Sequence, residues 1–235
     1  WPMKRFYENV RVQSEGGDFA VTLDGKGVRT PGRHALEMPT EALAQAVAGE
    51  WRAQDDEIQP RDMPLTQLAN TAIDRTRPLR TQVIEQIASY GETDLLCYRV
   101  ADPPDYAEIQ AANWQPLLDW AKDTYGARLQ VTTDVAPLKQ PKTALLALYQ
   151  AVASHDDFVL TGLHAATSVS GSVIVGLALA KGHLDAEQSY SLSQLDELYQ
   201  TEKWGEDAEA RTRREDIRDV LRSAATFMAL CQEIS

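Results

Sequence analysis

The succession of apolar and polar positions divides this chain into a strand-rich beginning and a helix-rich remainder. Phe6-Tyr-Glu-Asn-Val-Arg-Val12 alternates, Glu15-Gly-Gly17 supplies a turn, and Phe19-Ala-Val-Thr-Leu23 is a second alternating run. Asp24-Gly25 closes it with a strong hairpin signal. Val28-Arg-Thr-Pro31 and Ala35-Leu-Glu-Met38 add two short extended pieces. Thr40 stands where it can cap a helix whose apolar side carries Leu43, Ala44, Val47 and Trp51. The expected product is a small twisted sheet with one helix laid against it. Pro60 to Pro64 interrupts the pattern and divides the chain into an N-terminal domain over 1–62 and a C-terminal domain over 63–235.

Beyond that boundary nearly everything reads as helix. Leu65, Leu68, Ala69, Ala72 and Ile73 form one stripe, and Pro78 opens a second helix through Val83, Ile84, Ile87 and Ala88. After Asp102-Pro-Pro104 a third helix carries Ile109, Trp114, Leu117, Leu118 and Ala121, and Gly126 stops it. Residues 127–135 alternate like an isolated strand or an extended connector. Helices resume near Thr143, and the last one is expected from about Glu215 to Cys231. The fold class is therefore α+β: a small sheet-plus-helix domain followed by a larger, mainly α-helical one.

Two stretches depart from ordinary surface helices. Phe158 to Ala180 holds no Asp, Glu, Lys or Arg, a length that would match a membrane span. Its Gly162, Gly171, Gly176, His164 and Ser/Thr patch, without aromatic belts at the ends, favour two helices buried in a helical core. Ser191 to Glu206 reads as one amphipathic helix followed by a stop. Leu192, Leu195 and Tyr199 share a face with Leu198 beside them, while Asp196, Glu197 and Glu202 lie off the stripe. Trp204 brings a large ring to the helix end, and Gly205 can take the left-handed conformation that terminates a helix. The competing reading of this stretch is a plain surface helix with solvated carboxylates.

Composition narrows the function classes. A chain of 235 residues can bury a real core as one large or two modest domains, and 43% hydrophobic with 25% charged residues is the balance of a soluble globular protein. A net charge of −12 argues against general nucleic-acid binding and would complement a basic partner. Cys97 and Cys231 form no metal or redox motif and read as free, buried thiols of a reducing compartment. No secretory signal pattern opens the sequence. A bacterial cytoplasm fits, as does a mitochondrial matrix after loss of a presequence.

Chemistry-bearing motifs are scarce. Gly171-Ser-Val-Ile-Val-Gly176 has phosphate-loop glycine spacing, but Leu177 and Ala178 stand where Lys and Ser/Thr are required. His34, His155, His164 and His183 do not pair at metal-binding spacing, and His155-Asp-Asp157 reads as a polar helix–loop junction. No metal and no cofactor are expected. Glu92 and Asp94 invite an acid–base reading, although a carboxylate at a helix end also caps backbone N–H groups. Asp55-Asp-Glu57 reads as a solvated loop. Of the five tryptophans, at 1, 51, 114, 120 and 204, most belong to the core, and one exposed near an acidic helix would anchor a protein partner.

Several segments taken in order resemble one family. They are Lys4-Arg-Phe-Tyr7, Leu23-Asp-Gly-Lys-Gly-Val-Arg-Thr-Pro31, Glu50-Trp-Arg-Ala-Gln54, Met63-Pro-Leu-Thr66, Thr71-Ala-Ile-Asp74 and Glu92-Thr-Asp-Leu-Leu-Cys-Tyr-Arg99. Trp114-Gln-Pro-Leu-Leu-Asp-Trp120, Leu195-Asp-Glu-Leu-Tyr-Gln200 and Lys203-Trp-Gly205 complete the set. Together they resemble the assembly chaperones specific for the alpha subunit of F1-ATPase. The resemblance implies a protein that is not an enzyme, uses no cofactor, and holds unassembled alpha subunit until the beta subunit takes its place. It implies a functional role for the acidic position at Asp196, with Glu197 next to it, and client binding is expected of Asp196, Glu197, Tyr199, Trp204 and Gly205. Trp51, in the Glu-Trp-x-x-Gln segment, and Asp94 are expected to support the fold, Trp51 at the junction between domains. A monomer without a membrane span is expected. The residues also leave open a small-molecule enzyme with Asp74, Glu92 or Asp94 as acid or base between the two domains, and a structural subunit of a larger complex.

Overall fold

The computed structural model describes residues 3–134, 136–205 and 207–232; Trp1 lies outside them. Strand β1 (Met3–Lys4) leads into β2 (Val10–Glu15) and β3 (Asp18–Leu23), an antiparallel pair with Val10 opposite Leu23 and Glu15 opposite Asp18. The alternating run from Phe6 becomes strand only at Val10. Before that the Asp24 carboxylate accepts the Asn9 and Glu8 N–H groups at 2.8 and 3.2 Å, so a side chain takes the place of ladder partners. Asp24 and Gly25 both have positive φ, 47° and 82°, as a tight two-residue hairpin requires. They turn the chain into β4 (Lys26–Gly27), which pairs with the end of β3.

The next extended pieces shrink to an Arg29–Ala35 bridge and β5 (Glu37–Met38), paired with the start of β3. Thr40 caps α1 (Glu41–Arg52), its Oγ1 accepting from the Leu43 N–H at 3.2 Å. Leu43, Ala44, Val47 and Ala48 are buried on the face that packs on β2 and β3. β6 (Glu57–Ile58) then pairs antiparallel with β1, so part of the expected 55–57 loop is strand. Pro64 starts α2 (Pro64–Thr71), which runs into a π-helical turn over 72–76.

The remaining chain is helical: α3 (Arg80–Ser89), α4 (Pro104–Tyr125), α5 (Lys142–Ala153), α6 (Asp157–Ser170), α7 (Val173–Ala180), α8 (Ala186–Ser193), α9 (Leu195–Trp204) and α10 (Ala208–Leu230). Among the described residues of the 127–135 stretch there is no strand, only a bridge from Thr132 to Tyr98. The uncharged run from Phe158 divides into α6 and α7. Every residue of α7 is buried, and α4, α5 and α8 pack around it. Among the described residues no helix is long and apolar enough to cross a membrane. The stretch from Ser191 is two helices rather than one, and α10 begins seven residues before the expected Glu215.

Two compact units result. One holds residues 1–80, 157–162 and 226–235, the other 81–156 and 163–225. In the first, Phe158 stacks on Phe227 with centroids 6.0 Å apart, and Asp157 binds Arg80 and Arg77 at 2.8 and 3.3 Å. The second is organised around α7.

Candidate functional site: a clasped surface helix

The break between α8 and α9 has a cause on another helix. Leu192, expected on the apolar face of one continuous helix, would offer its carbonyl to the N–H of Asp196. The indole Nε1–H of buried Trp114 on α4 donates to that carbonyl at 3.0 Å instead. Gln194, at φ −105° and ψ 18°, ends α8 and begins α9. None of the ten residues of α9 is buried, and Leu195 and Leu198 are half-buried.

Polar and aromatic contacts to α4 hold this helix. Gln110, fully buried, accepts the Val100 N–H through Oε1 at 2.8 Å and donates through Nε2 to the Asp196 carboxylate at 3.1 Å. Burial, and secondarily the neighbouring Glu197, raise the Asp196 carboxyl above its ordinary range. One turn on, the Tyr199 ring stacks on buried Tyr106, with centroids 4.1 Å apart and planes 23° apart. The Tyr199 hydroxyl donates to Asp105 at 3.0 Å and the Lys203 ammonium reaches the same oxygen at 3.1 Å. Lys203 also contacts the Tyr199 hydroxyl and lies 4.4 Å over its ring. These two donors hold the Asp105 carboxyl below the usual carboxylate range, while the Tyr199 hydroxyl and Asp105 raise Lys203. The two carboxylates thus move in opposite directions, Asp105 downward through its donors and Asp196 upward through burial.

Trp204 ends the helix 76% exposed. Gly205 has φ 84° and ψ 174°, so its φ is positive but its backbone lies outside the left-handed helical region expected of it. Its N–H still closes on the Thr201 carbonyl at 2.9 Å. The clasp residues Asp105, Tyr106 and Gln110 were not singled out in the sequence. The signal available was spacing: Tyr106, Gln110 and Trp114 recur every fourth residue and form the buried side of α4, whereas Ile109, expected in that stripe, is exposed. A glutamine in an apolar row conceals the row.

Trp51 lies in the sheet-bearing unit. Its carbonyl accepts the Tyr7 hydroxyl at 2.7 Å, its ring meets Tyr7 at 5.7 Å, and its own indole N–H is buried without a partner. Asp94 is completely buried in the helical unit. Its carboxylate accepts from the Leu96 N–H at 3.1 Å, the Ser172 hydroxyl at 2.9 Å and the Ile174 N–H at 3.3 Å, bridging a 3₁₀ turn over Leu95–Cys97 to the first turn of α7. Ser172 in turn caps α7 through the Val175 N–H. Burial outweighs these donors and pushes the Asp94 carboxyl up to about 6.

Of the carboxylates of the catalytic alternative, Asp74, like Asp94, is engaged in holding the fold. Asp74 accepts from Thr30 Oγ1 at 2.6 Å and the Gly32 N–H at 2.7 Å, and meets His34 Nδ1 at 2.8 Å. Burial would raise it, but these partners reverse the effect and leave it below its ordinary value. Glu92 is exposed. Among the described residues no group of three or more His, Cys, Asp or Glu could hold a metal ion.

The same architecture recurs in solved proteins. Atp12 from Paracoccus denitrificans is 41% identical and superposes with a TM-score of 0.95 over 98% of this chain and 99% of its own. The Atu1473 protein from Agrobacterium tumefaciens is 39% identical, with a TM-score of 0.93 over 97% of this chain and 86% of its own. In sequence, the mitochondrial protein atp12 of Schizosaccharomyces pombe is 27% identical over 246 residues, 98% of this chain and 83% of its own length. This α+β protein of two units is in the class of non-enzymatic assembly chaperones. The family described as ATP12 chaperone protein matches residues 4–122, just over half the chain, and the chain belongs to that family, whose members act in ATP synthase assembly.

Proposed function

We propose that this chain binds free F1-ATPase alpha subunit as a monomer, covers its subunit-interface surface against aggregation, and yields it to the beta subunit. An orphan ring subunit exposes an apolar face that associates wrongly unless it is covered reversibly. The observation that carries the reading is α9: no residue of it is buried, it carries Asp196, Glu197 and half-buried Tyr199, and it ends in the exposed Trp204 at Gly205. An aromatic anchor among acids suits a basic, partly apolar protein edge. Trp51 and Asp94 act in support of the fold, through the Tyr7 and Ser172 contacts described above. The working compartment is a bacterial cytoplasm or, as the name of the yeast relative says of that protein, a mitochondrial one.

The test is capture of isolated alpha subunit and suppression of its aggregation. Asp196→Lys would strip Gln110 of its acceptor, so Asp196→Asn, Glu197→Lys and Trp204→Ala are the cleaner probes. Trp204→Ala and Glu197→Lys should each weaken capture at unchanged thermal midpoint. Normal capture by both variants would remove α9 from the client surface. Aggregation of alpha subunit at the same rate with and without the parent protein would end the reading.

A further inference from the structure

The segment 4–7 is pinned on both sides of a single residue. Arg5 donates through Nε to the Tyr7 carbonyl at 3.1 Å, donates through its guanidinium to the Gln54 carbonyl, and lies 4.8 Å over the Tyr7 ring. Its backbone N–H bonds the Asp56 carbonyl at 2.9 Å. Tyr7 is buried, with its hydroxyl on the Trp51 carbonyl. Both neighbours of Phe6 are therefore tied to the C-terminal end of α1 and the residues after it. Phe6 itself is 64% exposed, its ring edge-on to Tyr7 with centroids 5.4 Å apart.

Its two neighbours, Arg5 and Tyr7, line an open concavity of about 730 Å³ together with Glu8, Asp55 and Asp56. A second, of about 340 Å³, shares Asp55 and Asp56 and adds Glu57 and Asp62. Arg5, the one cation in the larger concavity, faces main-chain carbonyls and sets a single positive charge against the carboxylates of Glu8, Asp55 and Asp56, so the lining is acidic on balance. Among the described residues no side-chain cation lies within ion-pair distance of Glu8, Asp55 or Asp56. A single exposed aromatic is ordinary. An exposed aromatic whose backbone is held on both sides, next to a hollow that is acidic on balance, is not, because little backbone entropy remains to be lost and the charge can steer a partner.

We propose that this surface of the sheet-bearing unit is a second docking site for the client polypeptide, taking a segment in which a Lys or Arg stands next to an apolar side chain. The apolar group covers Phe6 and the cation enters the hollow walled by Glu8, Asp55 and Asp56. A second copy of this chain is the poorer occupant, since its net charge of −12 sets acid against acid. The choice of client rests on the reading of the chain as an alpha-subunit chaperone.

The experiment measures binding of isolated alpha subunit to the full chain carrying Phe6→Ser, and to the double variant Asp55→Asn with Asp56→Asn, with Trp204→Ala alongside. Phe6→Ser should weaken binding about tenfold with no change in thermal midpoint, as truncation of an aromatic anchor does. The double variant should slow association and flatten its salt dependence. Parent-like binding by Phe6→Ser and the double variant, with Trp204→Ala impaired, would overturn this site and leave the chaperone reading standing. Failure of the parent to bind alpha subunit would overturn both. Concentration-dependent self-association that Phe6→Ser abolishes would assign the patch to a homodimer and overturn the proposal.

Discussion

Burial acts most strongly at single residues, and Asp94 is the clearest case. Its carboxyl, about 6 in the folded chain against an ordinary 3.8, keeps its proton where the unfolded chain has released its own. The sign follows from linkage: Asp94 stabilises most below pH 4, and its contribution falls as pH rises from 4 to 6 and is constant above. Two pKa units correspond to roughly 3 kcal/mol. Urea unfolding of the parent and Asp94→Asn at pH 4 and pH 7 should show the parent gaining on the variant by up to that amount at the lower pH. Equal differences at the two pH values would mean that the carboxyl titrates normally. Gly176 is a second case. A Cβ there would clash with Thr167 Oγ1 and stand 3.0 Å from Leu163 Cδ1, so Gly176→Ala should cost about 1–3 kcal/mol by overpacking between α7 and α6. A value near zero would show that α6 can yield.

At the scale of elements, α9 is held by a few polar contacts and one ring stack rather than by burial. Tyr199→Phe removes a hydroxyl from Asp105 and Lys203→Met removes the cation. Both together should raise amide exchange along α9 several-fold while leaving α7 protected, because helices without buried residues open at low free energy. Trp114→Phe acts on the neighbouring break. It leaves the Leu192 carbonyl without its indole donor and should cost about 1–3 kcal/mol in denaturant unfolding. Spacing alone foresaw helix over this stretch but not its interruption, since the cause is an indole 78 positions away in sequence. The start of α10 was hidden for a different reason. Residues 208–214 are charged and show no apolar stripe, yet Asp207 caps them by accepting the Ala210 N–H, and buried Arg214 binds Thr201.

At the scale of the whole molecule, a net charge of −12 should make capture of a basic client edge fast at low ionic strength. Association of alpha subunit is expected to slow several-fold between 50 and 300 mM salt, with dissociation little changed. Salt-independent association would argue for an apolar encounter instead. The α+β class, the buried nature of the uncharged run and the cap at Thr40 were legible in the chain because each depends on local period, charge or turn chemistry. Membership of an assembly-chaperone family was legible from short segments in order. Other features needed the folded chain: the pairing of β1 with β6, the division into α8 and α9, the buried Gln110 that reaches Asp196, and the pinned Phe6. Each depends on groups that sequence separates by tens of residues and packing brings within hydrogen-bond distance. No period or composition encodes such a distance.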